Sequence, residues 1–126
     1  MDASRRRGFS LIELLVVMAI IAALVTIAMP RYQASVQTAR LTALKENLRI
    51  LRASLDRYYE DKGVYPESLQ ALVEANYLKG VPMDPVSESA QSWVLVDDPE
   101  GEVDGIVDVR SGAQGATPDG VAYAEL

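Results

Sequence analysis

The apolar residues of this chain fall into two patterns that meet near residue 30. From Leu11 to Met29 the sequence reads LIELLVVMAIIAALVTIAM, an apolar run in which Glu13 is the only charge. About 19 residues rise roughly 28 Å as a helix, close to the ~30 Å hydrocarbon thickness of a bilayer. The run therefore predicts a membrane-spanning helix. Pro30 closes it, with Arg31 and Tyr32 as an interfacial pair. A proline inside a helix removes one hydrogen bond and crowds the carbonyl four residues back, here Thr26. A kink or local melting near Thr26–Pro30 is expected; an ordinary helix stop at the membrane surface reads the same residues equally well.

Beyond Pro30 the period changes character but stays helical. Leu41, Leu44, Leu48, Leu51, Leu55 and Tyr58 alternate spacings of three and four, which places them in one stripe, with charged residues on the other faces. Arg52 with Asp56, and Arg57 with Asp61, stand at i,i+4 and are expected to pair. Gly63 after Lys62 predicts the C-terminal cap. From Ser10 to Lys62 a continuous helix would measure ~80 Å. The stripe is too short for a convincing coiled coil and is read as packing against a sheet. A short second helix is expected from Val64-Tyr65-Pro66-Glu67-Ser68-Leu69 onward, with Pro66 in or near its first turn and Leu69, Leu72 and Val73 inward. Two prolines fix a loop over Tyr77–Pro85. Strands are expected at Ser92–Val96, Gly105–Val109 and Val121–Glu125, separated by an acidic turn and a glycine-rich loop. The predicted class is α+β: a long N-terminal helix, half in the membrane and half amphipathic, a short helix and a small antiparallel sheet of about three strands.

Charge and composition narrow the chemistry. Of the 126 residues, the first 62 carry ten Lys/Arg against six acids, whereas residues 84–126 carry Arg110 against ten acids. The acidic half repels phosphate backbones, so nucleic acid is not an expected partner. Without His or Cys, the chain cannot build Cys/His zinc sites, thiol nucleophiles, Ser-His-Asp triads or disulfides. A hydrolase would have to be built from carboxylates such as Asp104 and Asp108, with no cleft expected, and the chain is read as a non-enzyme.

Arg5, Arg6 and Arg7 precede the apolar run and favour a cytoplasmic N-terminus, with the bulk of the chain across the membrane. A secretory signal peptide has a similar layout. Thr26-Ile27-Ala28 offers a small-x-small site, but proline follows it closely and Glu13 interrupts the apolar core. In a plain single-span anchor Glu13 would be a blemish, although a carboxylate at mid-depth costs ~2.5–3.5 kcal/mol and usually has a role.

The string Arg5-Arg6-Arg7-Gly8-Phe9-Ser10-Leu11-Ile12-Glu13-Leu14-Leu15-Val16-Val17 closely resembles the class III signal of type IV prepilins and type II secretion pseudopilins. The resemblance implies that a membrane prepilin peptidase cuts between Gly8 and Phe9 on the cytoplasmic side and methylates the new amino group of Phe9. It also implies that Glu13 pairs with the Phe9 amine of a neighbouring subunit during assembly, and it agrees with a proline at position 30. The physics is compatible. Gly8 gives an extended scissile segment no Cβ to clash, and a cut before the apolar run retains the run as an anchor. Low dielectric strengthens the pairing while desolvation opposes it, so Glu13 serves register more surely than stability.

Tyr58-Tyr59-Glu60-Asp61-Lys62-Gly63-Val64-Tyr65-Pro66, then Leu69, Tyr77-Leu78 and Pro82-Met83-Asp84-Pro85, resemble the major (G-type) pseudopilin. The likeness weakens after Pro85. Members of that group use calcium in the C-terminal loop. The matching stretch here, Ser111-Gly112-Ala113-Gln114-Gly115, has Gln114 where the resemblance calls for an acid, and Asp119 is the remaining candidate ligand, so any calcium site would be weak. The implied organisation is a leader at 1–8, a transmembrane and filament-core helix at 9–30, and a periplasmic globular domain at 31–126. The implied location is the bacterial inner membrane, as a single-pass protein. The implied role is a structural subunit of a periplasmic pseudopilus that drives type II secretion. Its partners would be the prepilin peptidase, identical and minor pseudopilins, and an inner-membrane assembly platform. A type IV pilin or minor pilin for adhesion, motility or DNA uptake is the alternative within the class; an exported binding module behind a cleaved signal peptide is the alternative outside it.

Overall fold

The computed structural model describes residues 8–126; the leader arginines Arg5, Arg6 and Arg7 lie outside the described residues. Helix α1 spans Leu11–Lys62 and helix α2 Leu69–Glu74; strand β1 spans Val94–Asp97 and strand β2 Ile106–Arg110, before a closing 3-10 turn at Tyr123–Glu125. The chain divides into two compact units between Gln37 and Thr38, within α1.

In the first unit α1 begins where a hydroxyl can take up an otherwise unpaired amide. Ser10 Oγ accepts the Glu13 N–H at 3.2 Å and the Ser10 carbonyl accepts the Leu14 N–H, so Ser10 caps the helix. The helix then runs through Pro30 without interruption. The local melting expected at Thr26–Pro30, and the alternative helix stop, are therefore not found. Proline removes a single backbone bond, and unwinding an apolar segment would free further polar groups with no water to receive them. Thr26 Oγ1 donates back to the Ala22 carbonyl at 2.7 Å.

In the second unit the leucine stripe becomes the core. Leu44, Leu48, Leu51 and Leu55 are buried and pack with Leu69, Leu72, Leu78, Trp93, Ile106 and Val109. The C-terminal end of α1 is set by Gly63, whose φ of 71° is open to glycine and whose N–H donates to the Tyr59 carbonyl. Helix α2 starts later than the sequence suggests. Ser68 is its cap, accepting the Ala71 N–H, and Pro66 is buried in the approach to the helix rather than in its first turn. The Ile106 N–H donates to the Pro66 carbonyl, which commits Pro66 to the start of β2.

β1 and β2 pair antiparallel with Leu95 opposite Val109, and Val107 is left out of register by an irregularity after Val96. The third strand expected at Val121–Glu125 is absent. Ala122 makes one bridge to Ala116, and the chain then turns as a 3-10 helix. Guanidinium groups hold this end of the chain instead of a ladder: Arg110 reaches the Ala124 oxygen at 3.4 Å and Arg52 the oxygen of Leu126, just past the turn, at 2.6 Å. Both expected i,i+4 ion pairs also give way to tertiary partners. Arg52 binds Asp108 at 2.9 Å and the Val109 carbonyl at 3.0 Å, while Asp61 accepts the Tyr77 hydroxyl at 2.6 Å. A partner fixed by the fold beats a flexible neighbour whose pairing is worth only tenths of a kcal/mol.

Candidate functional site

The N-terminal segment offers an accessible backbone followed by a fully exposed apolar helix. Gly8 and Phe9 precede the first helical turn, Phe9 is 83% exposed, and no atom stands within 4 Å of a Cβ placed on Gly8. The fold itself therefore sets no limit on side-chain size at Gly8. Glu13 lies in the first turn of α1 with an exposed side chain, where the partial positive charge of the helix start favours a carboxylate. Ser10 and Glu13 have the S-x-x-E spacing of a capping box, which accounts for a helix that starts immediately after Ser10.

From Leu11 to Met29 every residue is exposed, and the helix is long and apolar enough to cross a membrane. Large side chains such as Leu11, Ile12, Leu15, Leu24 and Ile27 are each more than 60% exposed. No monomer in water presents such a surface without something to cover it.

Residues 3–29 match the prokaryotic N-terminal methylation motif. Among characterised proteins, the chain is 31% identical over 101 residues to the type II secretion system core protein G of Pseudomonas aeruginosa, covering 68% of this chain and 71% of that one. It is 30% identical over 116 residues to core protein G of Klebsiella pneumoniae, covering 79% and 81%. The chain belongs to the core protein G family. The fimbrial protein EcpC of Eikenella corrodens is 35% identical over 81 residues, covering 60% of this chain and 53% of that one. No solved structure matches.

Membership in the core protein G family brings processing at the motif, assembly with other pseudopilins and a membrane anchor. It also raises calcium, and the residues present do not fit that ion. Gln114 and Asp119 are both exposed, and among the described residues no group of three or more acids is placed to hold a metal. The loop's polar groups pair with one another instead. The Thr117 N–H donates to the Val121 carbonyl, the Val121 N–H to Thr117 Oγ1, and the Tyr123 N–H to the Gly115 carbonyl. Ca²⁺ wants six to eight oxygens, and Gln114 and Asp119 carry only three side-chain oxygens between them.

Two structurally central residues were not found by reading the sequence. Arg52 ties α1 to β2 and to the chain end through residues 56, 57 and 74 positions away, which no local pattern signals. Asp84 is fully buried and accepts from Ser111 Oγ at 2.5 Å, Val86 N at 2.8 Å and Ser87 N at 3.3 Å. Its signal was the Asp84-Pro85 dipeptide, a turn initiator whose side chain folds back on the following amides.

Proposed function

We propose that the chain is cut between Gly8 and Phe9 by a prepilin peptidase, methylated at Phe9, and assembled with identical and minor pseudopilins into a periplasmic filament of type II secretion. The observation that carries this reading is the wholly exposed apolar half of α1 directly behind a Gly-Phe junction. In a bilayer that surface is satisfied by lipid; in a filament it is satisfied by the same helix of other subunits. The N-terminus faces the cytoplasm, the globular unit the periplasm, and an inner-membrane platform performs the transfer between the two states. Residues 1–8 are the leader, 9–30 the membrane and filament-core segment and 31–126 the periplasmic domain, with Pro30 marking the junction. The role is structural rather than enzymatic.

Glu13 is the register residue. Cleavage creates a cation at Phe9, and Glu13 carries the only charge between Phe9 and Pro30. Glu13→Gln keeps the size and the helix start but removes the charge. The variant should insert and be cleaved normally, then fail to enter filaments even with excess wild type present. Immunoblotting for uncut precursor and for sheared filaments reads both steps. Normal incorporation of Glu13→Gln would refute the pairing, and mature protein beginning near Met29 would return the chain to the exported-module reading.

A further inference from the structure

We infer that the Arg52 guanidinium is the cation that closes the C-terminal segment of this chain, gathering oxygens as a bound divalent metal would, so that the segment folds without the calcium ion the family raises. From Ser111 to Ala122 the chain forms neither helix nor strand; one bridge joins Ala116 to Ala122 before the short 3-10 turn. An irregular stretch of that length carries a large ordering cost and stays in place only where something ties it down. Its start is tied by Ser111 Oγ, which donates to the buried Asp84, and its middle by the hydrogen bonds that Thr117 and Val121 exchange. Its end, where Tyr123 and Leu126 pack against the core, joins no ladder.

Arg52 supplies the tie at that end. It reaches out of α1 to one carboxylate and two backbone oxygens. Its Nε donates to Asp108 Oδ1 at 2.9 Å, and one Nη donates to the Val109 carbonyl at 3.0 Å and to the Leu126 oxygen at 2.6 Å. Helix α1, strand β2 and the chain end thus converge on one cation. The Val109 N–H, at 2.8 Å from Asp108 Oδ1, holds the carboxylate in position for it. Carboxylate and carbonyl oxygens are the ligands a hard metal ion collects, and a guanidinium meets them with five N–H groups in a rigid plane. Arg110, at the end of β2, adds the Ala124 oxygen at 3.4 Å.

The balance of charge points the same way. From Ser111 onward the acids are Asp119 and Glu125, both exposed, and among the described residues no three acids stand together to hold a metal. A divalent ion set among Asp108 and these carbonyls would stand beside a guanidinium, and like charges in contact repel. A cation carried on α1 itself arrives when the helix packs on the sheet, and no chelator removes it. The tie lies within the folded unit, so its test is separate from that of the filament.

Full-length chain in detergent tests this by thermal melting and by hydrogen exchange at the Val121 and Tyr123 amides, both of which bond within the segment. A ligand that binds the native state raises the melting point, so wild type should melt within about 2 °C of the same temperature in millimolar calcium and in EDTA. Arg52→Gln should melt at least about 5 °C lower and exchange the two amides at least about tenfold faster, in both buffers alike. Arg52→Lys keeps the charge but loses the planar fork, and should fall between wild type and Arg52→Gln; it carries the comparison if Arg52→Gln does not fold. Calcium that raises the wild-type melting point by more than about 2 °C, or slows exchange at either amide, overturns the assignment. So does an Arg52→Gln or Arg52→Lys chain that melts and exchanges as wild type does.

Discussion

Asp84 is the position where a two-atom change should be felt most in the globular unit. Its side chain is fully buried, and Ser111, also fully buried, donates to it while accepting the Ala113 N–H at 3.1 Å. These bonds join the loop before β1 to the loop after β2. Asp84→Asn preserves shape and keeps an oxygen for Val86 and Ser87, but it turns an NH2 toward the Ser111 hydroxyl. Ser111 then accepts twice while its own proton loses a buried acceptor. One unmade buried hydrogen bond of this kind costs about 1–2 kcal/mol. Asp84→Ala orphans Ser111 completely and the two half-buried amides in part, for about 3–5 kcal/mol. Against a domain stability of roughly 5–15 kcal/mol that is a large share. For a unit of this size, thermal melting of the full chain in detergent should drop by roughly 5–10 °C for Asp84→Asn and further for Asp84→Ala. Ser111→Ala should cost about 2 kcal/mol alone, and the cycle with Asp84→Asn should be non-additive by about 1 kcal/mol. A melting point within about 2 °C of wild type for Asp84→Asn, or strict additivity in the cycle, refutes the assignment of Asp84 as the staple between these loops.

Three further outcomes follow from other contacts. A Cβ on Gly112 would lie 1.8 Å from the Ser92 carbonyl oxygen, so Gly112→Ala should cost about 3 kcal/mol in chemical denaturation, whereas Gly80→Ala, with open space around it, should be near neutral. The Tyr77 phenol is held above its usual value, first by its hydrogen bond to Asp61 and then by burial and nearby charge. Its contribution is therefore complete below the unfolded-state value and lost as pH rises through the folded-state value, so the melting difference between wild type and Tyr77→Phe should shrink in strongly alkaline buffer; a difference constant with pH contradicts this. Finally, Gly8→Ala should be processed better than Gly8→Val, since only the peptidase limits side-chain bulk there, and equal accumulation of uncut precursor in both removes the steric argument.

The sequence by itself determined what depends on local order and period. A Gly-Phe junction, a carboxylate and an apolar run in fixed register announce the membrane segment and its family, because recognition by a peptidase reads the extended chain. The leucine stripe from Leu44 to Leu55 predicted its own burial, since helical geometry alone puts those residues on one face. Gly63 ended α1 for an equally local reason. Only the tertiary structure decided the rest. Arg52 and Asp61 leave their helical neighbours for Asp108 and Tyr77, whose positions depend on how the sheet and α2 pack. Val121–Glu125 reads as a strand, yet the backbone turns as a 3-10 helix at Tyr123 and the Ala124 carbonyl goes to Arg110. Asp84 reads as one more turn acid until Ser111, 27 residues away, is folded against it. Pro30 punctuates the sequence, but α1 passes through it because one missing hydrogen bond is cheaper than unwinding an apolar helix.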